Sequence, residues 1–327
     1  MRGCDCLSRP GQWALALLLS ISVGNALRGE ESFPVVMLND SEAFSDVEIV
    51  QTGLLNPDPD ALLGLLVSTA EIHSDFISPM TNPVFFEDPR TLTEARLIYL
   101  HHAIPAALGG QSVDVAAMQL RAALTERLSF IATKDGFIFS DSPLLSDGWA
   151  DVAAGLKYQL ISDQDIGRML TSGFTFEMPI GSSQALQGNG NGEFNFFVTG
   201  GQRLFESMHL ISATGWRQPT DRSEESSVFY WSNHVDYMVT SDLYALFECN
   251  WYHWMSSGDG GVPGIEGGDL INLGSTGVGG NNIVTGAFGF KYKPDPNVEL
   301  GLAYEFPLSE RQDLMENRIT IDAILRY

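Results

Sequence analysis

Cysteine is nearly missing from this chain. Three occur in 327 residues, and Cys4 and Cys6 lie at the very start, so Cys249 stands alone in the remainder. One thiol cannot close an internal disulfide, which excludes a disulfide-stapled secreted domain. Basic residues are also scarce: 18 Lys and Arg face 41 Asp and Glu, for a formal charge of −23. Such a chain repels phosphate backbones, so no nucleic-acid partner is expected. After Ala26 no run of about eighteen apolar residues occurs, and no transmembrane helix is expected. The chain has no H-E-x-x-H, Cys–His cluster, G-x-S-x-G elbow or G-x-x-x-x-G-K-[ST] loop. Zinc, nucleophile-elbow and phosphate-loop chemistry therefore lack their usual residues, and no cofactor is expected.

The N-terminus does carry a signal. Arg2 and Arg9 precede the apolar run 13–23, and Gly24-Asn25-Ala26 supplies small residues. This is the pattern of a secretory signal peptide, residues 1–26, with cleavage after Ala26. Loss of Arg2, Arg9 and Asp5 would take the charge from −23 to −24. Residues 27–93 follow as an irregular, proline-rich segment, expected to be periplasmic or plug-like. One short helix is expected in it, where Asp58 and Pro59 open the stretch 61–73.

From residue 94 to 327 the pattern changes. Twelve segments alternate with turn signals: 94–104, 112–123, 126–134, 148–162, 166–179, 193–203, 206–217, 226–239, 242–254, 281–293, 297–307 and 314–327. Many have period two, the mark of strands. Ala150, Val152, Ala154, Leu156, Tyr158 and Leu160 oppose Asp151, Lys157 and Gln159. Val298, Leu300, Leu302, Tyr304 and Phe306 oppose Glu299, Gly301, Ala303 and Glu305. Ile319, Ile321, Ala323, Leu325 and Tyr327 oppose Arg318, Thr320, Asp322 and Arg326. Segments 94–104 and 112–123 show no clean face, and 206–217 sets Met208 and Leu210 opposite Ile211 and Ala213.

Alternation also fits a soluble sandwich or lipocalin-like barrel. The segments, however, are as long as membrane-spanning strands, and short and long connections alternate. The final segment ends on an aromatic residue. The expected fold is all-β: a transmembrane antiparallel barrel of about twelve strands in the bacterial outer membrane, closed by the last strand against 94–104. Tyr230, Trp231, Tyr237, Trp251, Tyr252 and Trp254 are expected to form an interfacial girdle.

With those features in place, the chain resembles bacterial outer-membrane β-barrels. More narrowly, it is similar to the family of envelope barrels named after the MetA pathway of phenol degradation. The similarity covers residues 94–327, with segments 82–99 and 257–277 reading like family signatures. The resemblance implies an outer-membrane barrel or transporter, its location and architecture but not a substrate; hydrophobic or aromatic compounds are one expected class of small solute.

On the polar faces stand Asp151, Lys157, Glu177, His234, Asp236, Glu248, Lys291, Glu299, Glu305, Arg318 and Asp322. In a barrel these line the lumen, either of a hydrated pore or of a closed, salt-bridged interior. Twelve strands fall between filled eight-stranded and open sixteen-stranded barrels, so a narrow or partly plugged pore for a small solute is expected. Ser232, His234 and Asp236 share a face and allow an alternative reading as a lipid-modifying enzyme. Alternate residues on a strand sit about 7 Å apart, which strains direct contact. Adjacent His101 and His102 point to opposite faces and cannot share a metal. Asp259, Glu266 and Asp269 in the glycine-rich loop 255–280 are weak calcium candidates. The remaining alternative is a structural or adhesion barrel. Expected partners are outer-membrane lipid, a small solute, and barrel-assembly machinery reading the strand that ends at Tyr327.

Overall fold

A computed structural model describes residues 66–327. The expected signal peptide and the start of the expected helix lie outside the described residues. The last part of that helix is described and is not helical: residues 70–75 form a turn. Its neighbouring amides bond elsewhere, Val67 N donating to Ala123 O (3.0 Å) and Thr69 N to Tyr327 O (3.2 Å).

The strands are β1 Glu94–Ala103, β2 Ser112–Ala123, β3 Leu128–Lys134, β4 Phe137–Ser140, β5 Gly148–Trp149, β6 Val152–Asp163 and β7 Arg168–Met178. They continue with β8 Glu193–Phe205, β9 Met208–Pro219, β10 Ser227–Met238, β11 Leu243–Ser256, β12 Asn282–Asp295, β13 Val298–Pro307 and β14 Asn317–Arg326. All pairings are antiparallel, and β1 bonds both β2 and β14, with Glu94 opposite Arg326 and Ala103 opposite Asn317. Two staves are interrupted: β3 and β4 are one strand broken at 135–136, and β5 and β6 one strand broken at 150–151. The result is a closed barrel of twelve antiparallel strands. Closure leaves no unpaired edge.

The third expected segment stops at residue 134, but the chain resumes as β4 against β2, Val113 facing Ser140. The expected segments leave 135–147 as a long connection; here 135–136 is a kink within a stave. Gly136 has φ +117°, and a Cβ there would lie 2.6 Å from Ala116 O, so only glycine fits.

Connections alternate as expected. Short turns join β2–β3, β6–β7, β8–β9, β10–β11 and β12–β13; longer loops, the longest at 257–281, occupy the other end. Outward side chains such as Leu97, Phe130, Leu156, Phe247, Phe290, Leu302 and Ile321 are exposed. An exposed belt of this size suits hydrocarbon rather than water. The girdle is only half realised. Trp231, Tyr237 and Trp251 face outward, but Tyr230, Tyr252 and Trp254 are buried inside. Parity decides this: Tyr230 shares its face with Ser232, His234 and Asp236, and Tyr252 with Glu248 and Asn250.

The interior is filled. Residues 76–93 run irregularly among inward side chains, and nearly all are buried. Phe76 and Phe86 pack with Met169, Ile211 and Ala213; Phe85 packs with Phe197, Tyr230 and Trp254. This is why β9 carries Ile211 and Ala213 on its inner face between His209 and Arg217: that stretch meets phenylalanines, not water.

Candidate functional site

Non-helical backbone at this depth survives only where every polar group finds a protein partner. The barrel wall supplies them. Glu248 accepts from the amides of Met80 (2.7 Å) and Thr81 (2.6 Å), and Glu299 from that of Ser78 (3.1 Å). Carbonyls are held in turn: Gln119 Nε2 donates to Pro83 O (2.7 Å), Lys157 Nζ to Asp88 O (2.7 Å), Thr199 Oγ1 to Glu87 O (2.8 Å) and Lys293 Nζ to Phe76 O (2.8 Å).

All eleven polar-face residues named from the sequence are buried. The structure brings most of them together in two groups. Near the short-turn end, Lys291 bridges Glu299 (3.0 Å) and Asp322 (3.1 Å). Arg326 pairs with Glu299 (2.6 Å) and Glu94 (2.7 Å), Arg96 with Asp322 (2.8 Å), and Arg121 with Glu94 (2.9 Å) and Glu87 (2.6 Å). Lys157 also joins Glu87 (2.8 Å), and Arg90 closes on Asp88 (2.7 Å). Beside this lattice runs a relay. Arg203 meets Asp75 (2.7 Å), Asp75 meets His209 (3.2 Å), and His209 meets Asp236 (2.8 Å). Asp236 then meets His234 (3.2 Å), and His234 meets Glu248 (2.6 Å). Each imidazole sits between two carboxylates, an arrangement that uses both ring nitrogens as donors. The relay ends on the amides of Met80 and Thr81, so it ties the interior segment to the wall.

The others lie apart. Glu177 pairs with Lys134 nearer the loops. Asp151 accepts from the amides of Gly181 (2.8 Å) and Gly188 (3.0 Å). Glu305 and Arg318 approach within 3.6 Å, and Arg318 grips Asp269 with two bonds of 2.8 and 3.1 Å.

Ser232 Oγ accepts from Asn82 Nδ2 (2.9 Å), while both nitrogens of His234 are bonded to carboxylates. The three residues of the hydrolase alternative therefore do not form a nucleophile–base pair. The calcium candidates are not gathered either. Asp269 is spent on Arg318, and Glu266 accepts from Ser226 Oγ (2.6 Å) and the amides of Leu273 (3.0 Å) and Ser275 (2.8 Å). Asp259 is exposed. Among the described residues no group of His, Cys, Asp and Glu is arranged to hold a metal.

Sequence reasoning missed Glu94, Arg96, Arg121, His209 and the interior residues Glu87, Asp88 and Arg90, and it placed Arg326 on the inward face without naming it for the site. Glu94, Arg96 and Ile98 do alternate, but the apolar Ile98 and Leu100 on the same face hide the pattern.

Those residues belong to a second feature. An apolar cavity of about 40 Å³ lies between β1, β2, β4, the interior segment and the long loop. Ile98, Leu100, Val113, Val115, Ile138 and Val84 wall it, and Leu270 and Ile271 cover it. Directly outside, a recess of about 720 Å³ opens on the outer face beside Leu97, Met118, Trp149 and Ile180. Ile98, Ala117, Asp135 and Ala150 border both. This is where the wall is weakest. β2 pairs β3 through 120–123 and β4 through 113–116, which leaves 117–119 without a β3 or β4 ladder partner. The gap is bridged by side chains, Met118 N donating to Asp135 Oδ1 (2.8 Å) and Gln119 Nε2 to Thr133 O (2.6 Å).

At the loop end Glu225 is buried, its Oε2 without a hydrogen-bond partner. Burial, with Glu193 nearby, pushes its carboxyl up to about 8.

Several solved structures are similar to this one. An outer membrane channel from Pseudomonas putida F1 superposes with a TM-score of 0.56 at 12% identity, covering 77% of this chain and all of that one. The NanC porin gives 0.48 at 12% identity over 72% of this chain and all of its own. The KdgM porin gives 0.43 at 12% identity over 71% of this chain and 99% of its own. No family model and no curated protein matches the chain.

Proposed function

We propose that the chain is a bacterial outer-membrane channel for small apolar solutes, aromatic ones among them, which reach the barrel interior through the interrupted wall between β2 and β6. The carrying observation is the apolar cavity behind that interruption, bordered by residues shared with a recess on the lipid-facing surface. The fold likeness to a Pseudomonas putida outer membrane channel and the exposed apolar belt support the membrane setting. The aliphatic lining of that cavity supports the solute class. In this reading residues 1–26 are a cleaved export signal and the segment before β1 is a plug. The inward charges clamp that plug rather than line a hydrated pore.

At about 40 Å³ the cavity is smaller than the roughly 150 Å³ void that holds benzene. Passage therefore requires Leu270 and Ile271 or the Val84 turn to shift. Accumulation of labelled p-xylene by Gram-negative cells tests the proposal. Cells carrying the protein should accumulate it several-fold faster than cells without it, with little added leakage of hydrophilic solutes. Equal accumulation would sink the reading.

A further inference from the structure

Resting on the apolar-channel reading, the polar end of the cavity indicates which solutes it would favour. Most of the wall is aliphatic; Gln119, Thr133, Lys134 and Asp135 form the one polar stretch. Lys134 is paired with Glu177, and Asp135 holds the amide of Met118. Gln119 is 2% exposed, and its Nε2 spends both protons, on Pro83 O (2.7 Å) and Thr133 O (2.6 Å). Those two bonds fix which way the amide faces, so Oε1 can act only as an acceptor. Oε1 has no hydrogen-bond partner, and neither has the buried Thr133 Oγ1. An unpaired buried amide oxygen is costly, and natural proteins retain few.

We propose that Gln119 Oε1 receives the hydroxyl proton of a passing solute, with Thr133 Oγ1 as a second contact. The channel then prefers apolar molecules ending in one neutral hydroxyl over molecules of the same shape without it. A carboxylate has no proton to offer Gln119, and an ammonium head would meet the Lys134 side chain. The neutral donor is the match, its apolar body lying along Val113, Val115 and Leu100.

The test is equilibrium dialysis of the full refolded chain in detergent micelles with p-cresol and p-xylene, which differ by hydroxyl against methyl. Each affinity is referenced to the solute's concentration in matched protein-free micelles. The wild type should bind p-cresol about tenfold more tightly, the effect of one hydrogen bond. In Gln119→Leu, compared at matched folded protein, the preference should fall toward unity. Thr133→Val, which leaves both Gln119 donor bonds in place, should lower the preference about twofold. Equal wild-type affinities would overturn this inference while leaving the apolar channel intact. A folded Gln119→Leu protein that keeps the full preference would overturn it as well. Binding of neither solute would overturn both readings.

Discussion

The two sides of the barrel follow different rules. From β11 to β14 the ladders are long, outward residues are largely apolar, and inward Lys291, Glu299, Asp322 and Arg326 meet in one ion lattice. From β1 to β6 the inner face carries Ile98, Leu100, Val113, Val115 and Ile138, and the ladder is broken twice. Buried charges on one side hold something polar, the irregular backbone of residues 76–93. Buried aliphatics on the other side surround a void. The aliphatic patch sits among side chains that do hold the interior segment, Gln119 on Pro83 O and Lys157 on Asp88 O, and it alone is left facing a void.

The largest expected effect comes from cutting the clamp on the ordered side. Glu248→Ala removes the acceptor for two plug amides and for His234. It should cost about 3–5 kcal/mol, the usual consequence of orphaning a buried charge partner. The midpoint of heat-modifiable gel mobility would fall, and ion conductance in planar bilayers would rise; an unchanged midpoint and a silent bilayer would argue that the plug is held otherwise. A smaller effect is expected at the kink. Gly136→Ala forces a side chain onto a φ of +117° against Ala116 O, a strain of about 1–3 kcal/mol. Denaturant unfolding should register it, whereas a neutral result would mean the broken stave is loose enough to re-form elsewhere. The smallest concerns the loops. Glu225 stays protonated in the fold up to about 8 but ionises when unfolded from 4.5. Its contribution therefore destabilises progressively as pH rises between those values. Glu225→Gln should flatten that decline, raising the melting temperature by a few degrees at pH 8 and leaving it unchanged at pH 4.

The sequence made the ordered side easy to read. Period two survives wherever one face meets lipid and the other meets charge, so β11, β13 and β14 and the closure against β1 were visible from residue types alone. The other side was harder to read for a physical reason: the inner faces of β1, β2 and β9 mix charges such as Glu94, Arg96, Arg121 and His209 with apolar residues that meet phenylalanines or the cavity, and a mixed inner face blurs the period. The kink at 135–136 was not foreseen, because an Asp-Gly pair after a strand suits the start of a connection as readily as a break within a stave. The site was half visible. The polar-face residues could be named, but their partners on residues 76–93 could not, since nothing local in a proline-rich segment says that it will thread a barrel.

A bulky residue placed on each side of the barrel tests the central claim most directly. Ala117 borders both the cavity and the outer recess; Ala323 lies on the outward face of the unbroken β14. Uptake of labelled p-xylene is compared in cells carrying Ala117→Trp, Ala323→Trp or the wild type at matched folded protein. The account predicts that Ala117→Trp cuts uptake about tenfold and that Ala323→Trp leaves it unchanged. Equal uptake by all three would contradict a route through the interrupted wall.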